Sequence, residues 1–375
     1  MKLNPFSLLA ALTLPLFVGC VPLHYKGSRY EGSYGGLRER WNETTNNATL
    51  RVIMVHGMGG LGDTVPGYGD GFAKLVAQRF HLSGELNNVT NPIVSTTGVT
   101  NFLRTFDFTN TENGHLNFYE VTWSPTTSTI KSNQFYKDSQ MSSNGNRLPF
   151  NGTVKQIVDT GFGDAVLYLN PSYHKQMQEP ILTTIEKVAH EATNDDDNVV
   201  FITHSLGSKM ALDTLLENPR KQYVMDLTGK TTDIIMLANQ LPLLDLGSDT
   251  SNRLAELQQS VPATSSVLTN FVNFAGTQKR HRHAALPNYP DVNIVAATDP
   301  NDALSYPLAA RTDVINGIRV SFSDIYRYNS DGIFTCFVLN TLDWPPLLES
   351  PLTAHTGYLD NMRLARKLVE GFTAK

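Results

Sequence analysis

The sequence predicts an α/β fold in which a mostly parallel sheet carries helices on both faces. Short runs dominated by β-branched and other apolar residues recur at residues 50–55, 199–202, 233–238 and 291–297. Runs of that kind, without polar alternation, suit strands buried on both sides. Segments with apolar residues at helical spacing lie between them, the pattern of alternating strand and helix. At residues 198–216, NVVFITHSLGSKMALDTLL, one run passes through a tight turn directly into helical spacing at Met210, Ala211 and Leu215.

With 30 Lys and Arg against 35 Asp and Glu, the net charge of −5 gives no electrostatic reason to expect nucleic acid as a partner. The length suffices for one large α/β domain with a sizeable core. Residues 1–19 stand apart: Lys2 is a thin positive region, residues 6–18 are apolar, and Gly19-Cys20 closes the run. Such a run is too short to cross a bilayer as a stable helix and reads as an export signal. The ending Leu16-Phe17-Val18-Gly19-Cys20 resembles a bacterial lipoprotein box, which implies cleavage before Cys20 and lipid on its sulfur. That would anchor the protein to a membrane surface. Val21, where a retention aspartate would stand, implies the outer membrane of a Gram-negative cell. The other of the two cysteines, Cys336, falls in an apolar run at 332–339 and reads as a lone buried thiol. Residues 20–48, rich in Gly, Ser, Asn, Tyr and Arg without periodicity, predict a tether, so the fold proper runs from 49 to 375.

The first core strand, 50–55, runs into His56-Gly57-Met58-Gly59-Gly60. Glycines there let the backbone bend sharply and leave amides free to face a ligand. A helix is expected over 72–77. From about 83 to 160 the chain turns rich in Asn, Thr, Ser and Gly, with only 118–123 strongly strand-like. The stretch from His56 to the corner near Ser205 is longer than a minimal strand-helix-strand path needs, which predicts an inserted lid-like or wall-like region. Helices are expected at 161–169 and 177–190, and the acidic run Asp195-Asp196-Asp197 reads as a solvated connection. A last strand is expected at 318–326, and an amphipathic terminal helix at 359–372. The basic, histidine-containing stretch 279–283 lacks the carboxylates or spacing of a metal site.

The corner at Thr203-His204-Ser205-Leu206-Gly207 holds a serine hydroxyl at the carboxyl end of a buried strand, where it projects toward solvent or substrate and the Leu206 amide can face an oxyanion. This T-H-S-L-G resembles the nucleophile elbow of the α/β-hydrolase superfamily, with Thr203 where glycine is usual. The resemblance implies a serine nucleophile, Ser205, then an acid and a histidine later in the chain. It implies that His56-Gly57-Met58-Gly59 gives the second oxyanion amide, from Met58 or, as second choice, Gly59. Two aspartates after the 291–297 strand compete for the acid: Asp302 is preferred, with Leu304 two places on, and Asp299 is the alternative. Of ten histidines, His355 alone combines the right order, a late loop and a following terminal helix. His56 is expected to brace its loop.

Together these imply hydrolysis of a small-molecule or lipid ester through an acyl-enzyme, with no metal or organic cofactor. The same machinery serves a lipase, a thioesterase or a peptidase. A surface lipoprotein that keeps the fold without catalysis is the reading from another class, with Thr203 as its one supporting feature. Nothing in the sequence sets the oligomeric state.

Overall fold

A computed structural model describes residues 28–43, 48–58, 67–80, 82, 89–109, 115–145, 155, 157–245, 265–279, 291–327 and 351–374. The chain opens with strands β1 (Arg29–Glu31) and β2 (Ser33–Tyr34), helix α1 (Leu37–Glu43) and β3 (Thr49–Val55). Helix α2 (Asp70–Arg79), strands β4 (Val89–Val94), β5 (Thr100–Thr109) and β6 (His115–Thr122), and helix α3 (Pro125–Ser143) follow. A π-helical turn, Ile157–Phe162, runs into α4 (Gly163–Tyr168), and α5 (Pro171–Glu191) leads to β7 (Asn198–His204) and α6 (Leu206–Glu217). Next come α7 (Gln222–Lys230), β8 (Thr231–Leu237), α8 (Leu241–Leu244), α9 (Ser266–Lys279) and β9 (Val292–Thr298). The chain ends with β10 (Arg311–Ile315), β11 (Ile318–Tyr326), α10 (Pro351–Thr356), α11 (Met362–Glu370) and β12 (Phe372–Thr373).

The main sheet has the order β1-β11-β9-β8-β7-β3-β6-β5-β4, with β10 also paired to β11. From β11 through β6 every pairing is parallel, and the pairings beyond these at both edges are antiparallel. Each central strand is buried along its length, so alternate residues feed two separate cores. Ile53, Val55, Val199, Phe201, Ile234 and Met236 pack with residues of α5, α6, α7 and α9. Val52, Met54, Val200, Ile202, Ile235 and Leu237 pack on the opposite face with α1, α2 and α11. This is the α/β architecture of mostly parallel strands that the uninterrupted apolar runs predict.

Two expectations about organisation need adjustment. The region expected as a lid-like or wall-like insertion at about 83–160 includes sheet: β4 and β5 extend the edge beyond β6. Their composition reads as irregular because the edge is half solvated. In β4 only Ile93 is buried, and in β5 Leu103, Phe106 and Phe108 are buried while Asp107 and Thr109 are exposed. Of this stretch, α3 and the π-turn leading to α4 lie outside the sheet. The second correction concerns the tether. Residues 28–43 are built into the fold, with β1 on β11, β2 on β12, and Tyr34 and Leu37 in the core. Helix α1 is held by Arg40 Nε, 3.0 Å from Asp233 Oδ2, with both side chains buried. Asp233 also accepts from Asn293 Nδ2 at 2.7 Å and from Thr232 Oγ1 at 2.8 Å. The lipidation candidate Cys20, the signal-like residues 1–19, Cys336 and the stretch 280–283 lie outside the described residues.

In the acidic run Asp195 is exposed, but Asp197 is buried: its Oδ1 accepts from Thr49 N at 2.7 Å, and its Oδ2 lies 3.5 Å from Arg51 Nε. It ties the starts of β3 and β7 together. Among the described residues no helix is long and apolar enough to cross a membrane.

Replacing Arg40 by leucine leaves the Asp233 carboxylate buried without its cation. The expected loss is about 3–5 kcal/mol of unfolding free energy, read as a lower urea midpoint at an unchanged slope.

Candidate active site

The centre of the site is the corner between β7 and α6. Ser205 carries φ 54° and ψ −126°, a backbone region sparsely populated by residues with a Cβ. Its N–H still donates to Leu237 O on the neighbouring strand at 2.8 Å, as though the strand continued. The helix then starts at Leu206, so the Leu206 N–H, at the first helical position, has no acceptor within its own helix. Gly207 is required by contact: a Cβ there would lie 2.5 Å from both Val55 O and His56 O. Thr203, where the resemblance leads one to expect glycine, turns its hydroxyl to Ser208 Oγ at 2.8 Å and Ile235 O at 3.3 Å. The threonine thereby ties strand to helix across the corner.

The Ser205 side chain was expected to project outward, but the residue is fully buried. Gly57 lies over it so closely that a Cβ on Gly57 would come 2.5 Å from Ser205 Cβ. Met58 follows as the last described residue of that loop; Gly59 lies outside the described residues. The bracing expected of His56 is visible in its contacts. Its ring stacks on Trp123 with centroids 4.7 Å apart, its Nδ1 donates to Gly57 O at 2.8 Å, and its Nε2 accepts from Trp123 N at 3.2 Å. Trp123 Nε1 in turn donates to His56 O at 2.9 Å. Burial pushes the His56 imidazole down to about 3 despite the Gly57 bond, so the ring is neutral with its proton on Nδ1.

His355 Nε2 stands 3.0 Å from Ser205 Oγ, and its Nδ1 stands 3.0 and 3.1 Å from the two oxygens of Asp302. With the carboxylate accepting from Nδ1–H, Nε2 is left as the acceptor for the serine proton. His355 sits in the last turn of the short helix α10, where the sequence led one to expect a loop. Asp302 is buried, which raises the pKa of its carboxyl. The hydrogen bond and charge of His355, the Leu304 N–H at 2.9 Å and the Tyr358 hydroxyl at 3.0 Å more than offset this and hold it below the usual range. Asp299, the alternative acid, is turned to other work. Its Oδ1 accepts from Asn301 N at 2.8 Å and its own N–H donates to Tyr358 Oη at 2.7 Å. The structure therefore brings Ser205, His355 and Asp302 into one hydrogen-bonded line, and Asp299 supports it from behind through Tyr358.

Two residues of this cluster had not been singled out from sequence. Tyr358, three residues after His355, fixes one oxygen of Asp302. His204, beside the serine, donates from Nε2 to the carbonyl oxygen of His355 at 2.8 Å. Burial, and then the proximity of His355, bring the His204 ring down to about 4. Being neutral near neutral pH, it fixes the backbone that carries His355 without adding a second positive charge. Its place immediately before Ser205 was the available signal.

A second cluster of possible ligands, His174, Asp213 and Glu217, has donor atoms within 4.8 Å of one another. His174 Nδ1 donates to Tyr168 O and Nε2 to Glu217 Oε1, and the Glu217 bond raises the pKa of the ring. Asp213 is held by Tyr168 Oη and Lys209 Nζ. Both ring nitrogens of His174 are thus already engaged by protein acceptors, so the group reads as a hydrogen-bonded cluster that ties α5 to α6.

No protein-family model matches the chain, and no curated protein matches it. A solved structure that it resembles is a metagenomic carboxyl esterase, at 17% identity and a TM-score of 0.18. The match covers 49% of this chain and 62% of that one, less than two thirds of the esterase. The overlap is too loose to establish a shared fold.

Replacing His204 by phenylalanine keeps the ring volume and removes the donor, leaving a carbonyl unmatched at a cost of about 1–3 kcal/mol. We expect Ser205 to react at least about tenfold more slowly with a fluorophosphonate probe. Glutamine, which can still donate, should recover part of the rate.

Proposed function

We propose that the protein is a serine hydrolase that cleaves carboxylic esters, built on the α/β-hydrolase fold. The observation that carries this reading is the line Asp302–His355–Ser205 ending on a serine held at φ 54°. A serine hydroxyl is a weak nucleophile until a base removes its proton, and the base works only if a third group holds its tautomer.

In the first step Ser205 Oγ forms a bond to the ester carbonyl carbon as its proton passes to His355 Nε2, and Asp302, still ionised, stabilises the imidazolium. The carbonyl oxygen becomes an oxyanion, for which the Leu206 amide and that of Met58, with Gly59 as second choice, are the donors. The C–O bond of the ester then breaks, and the alcohol leaves with the proton from His355. A water molecule attacks the acyl-enzyme and gives its proton to His355. The bond between the acyl carbon and Ser205 Oγ then breaks, His355 returns the proton to Oγ, and the acid leaves. The lipoprotein-like segment ending in Cys20 supports an enzyme held on a membrane surface by N-terminal lipid, the outer membrane in a Gram-negative cell. Thioesterase, lipase and peptidase activity would use the same machinery, and Thr203, the feature that favours a non-catalytic protein, has a structural role at the corner through its bonds to Ser208 and Ile235.

Ser205→Ala should abolish labelling by a fluorophosphonate and reduce hydrolysis of p-nitrophenyl esters by about four orders of magnitude or more. Labelling that survives the substitution, or an unlabelled wild type, would sink the proposal. Asp302→Asn is expected to reduce kcat by about four orders of magnitude through the wrong tautomer of His355. Asp299→Asn, which keeps an amide oxygen for the Asn301 N–H, should stay within about tenfold of wild type. A reversed ranking would transfer the acid's role to Asp299.

A further inference from the structure

Beyond Met58, which follows the glycine lying over Ser205, an apolar cavity sits beside the π-helical turn. Met58 packs against the core cluster that contains Leu206 and Trp123, and its side chain touches the π-helical turn: a Cβ on Gly161 would lie 3.8 Å from Met58 Cε and 3.9 Å from Met58 Cβ. Beside that turn, between α3 and α4, is a cavity of about 470 Å³, within the range that holds a small organic group. Ile130 and Phe135 of α3 face Val158, Phe162, Val166 and Leu167 across it.

Its charged groups are already paired. Lys131 Nζ lies 2.7 Å from Asp164 Oδ1, and Lys155 Nζ lies 3.1 Å from Asp159 Oδ1. The cavity thus offers hydrocarbon walls and matched ion pairs, a poor receptor for a charged ligand and a suitable one for an alkyl chain. Lys131 is also close enough to His56, at the head of the Ser205 loop, that its charge bears on that ring. Val158, Phe162 and Val166 fall four residues apart, on one side of a helix, and remain 46%, 38% and 66% exposed. They form an apolar rim that gains from being covered.

Resting on the ester-hydrolase reading of Ser205, we propose that this cavity takes the hydrocarbon chain of the ester substrate. The preferred substrates are then esters with an alkyl chain of several carbons, in place of acetates of short alcohols. The chain can belong to the acyl or to the alcohol part of the ester, and two substrate series separate these.

Gly163 gives a clean means of filling the space. A Cβ there would sit 3.5 Å from Lys131 Cδ and 3.6 Å from Phe135 Cε2, ordinary contact distances, so a side chain added here starts beside Phe135 on the cavity wall. The experiment measures kcat/KM for p-nitrophenyl acetate, butyrate and octanoate, and for ethyl, butyl and octyl acetate, with wild type, Gly163→Phe and Phe135→Ala. In wild type one series should gain up to about fourfold per buried methylene until the cavity is full. Gly163→Phe should lower the octyl-to-short ratio in that series at least tenfold while Ser205 still labels with a fluorophosphonate. Phe135→Ala should shift the preferred chain longer. A flat profile in both series, or a Gly163→Phe ratio equal to that of wild type, overturns the cavity assignment and leaves Ser205 as a nucleophile. A wild type that fails to label overturns the hydrolase reading and the chain site with it.

Discussion

Ser205 is held in a backbone conformation that an L-residue does not adopt freely, at a cost of about 1–3 kcal/mol, and the middle of the molecule is arranged to hold it there. Strand β7 has β3 on one side and β8 on the other. The Ser205 N–H is still bonded to β8 at Leu237 O, while Gly207 brings the first turn of α6 against the end of β3. Thr203 adds a hydroxyl bridge to Ser208. The chain can neither continue as strand nor start its helix later without breaking one of these contacts. The same restraint aims the serine side chain at the ring that faces it.

Three histidines lie close together around that serine, and their surroundings divide the work. His56 is buried and His204 partly buried, each without a hydrogen-bonded carboxylate, and desolvation brings both well below neutral pH. Each is therefore a neutral ring used for its hydrogen bonds, one to hold the Gly57 turn and one to hold the backbone of His355. Only His355 has a carboxylate against its Nδ1 and a hydroxyl against its Nε2. If His204 were charged beside His355, it would oppose the imidazolium that proton transfer from Ser205 creates. The two aspartates divide similarly: Asp302 faces the ring, and Asp299 secures the tyrosine that holds Asp302.

The parts of this arrangement legible in the sequence are those buried on both sides. Residues 50–55, 199–202 and 292–297 read as core strand because their apolar side chains are packed on both faces of the sheet. The serine corner is legible for a related reason, since an apolar strand, a small-residue turn and a helical repeat follow without a gap. The edges are not. In β5 a half-solvated face places Arg104, Thr105 and Asp107 between Leu103, Phe106 and Phe108, and that mixture resembles loop. Residues 28–43 misled through composition, because glycines and short strands conceal that Tyr34, Leu37 and Arg40 all point inward. In the sequence the choice between Asp302 and Asp299, three residues apart, rests on Leu304 two places after Asp302, and it is Tyr358, a contact across the fold, that gives each its place.

Why residues so far apart in sequence meet at one point follows from the register of the parallel strands. Val55 stands opposite Val121 on one side and Thr203 on the other, His204 opposite Leu237, and Leu237 opposite Ala297. The strands β6, β3, β7, β8 and β9 therefore end at one level. The residues that follow them, Trp123, His56, Ser205, Ala238 and Asp299, leave the sheet along a single line. Asp302 lies three residues beyond this line, and His355 on α10 meets the serine there. In a parallel sheet buried on both faces, a slip of one residue in any of these strands would exchange the two cores side chain for side chain. Isoleucine, valine and phenylalanine would then face the wrong helices. The packing that stabilises the sheet thus also sets the position of the Ser205 oxygen relative to the imidazole.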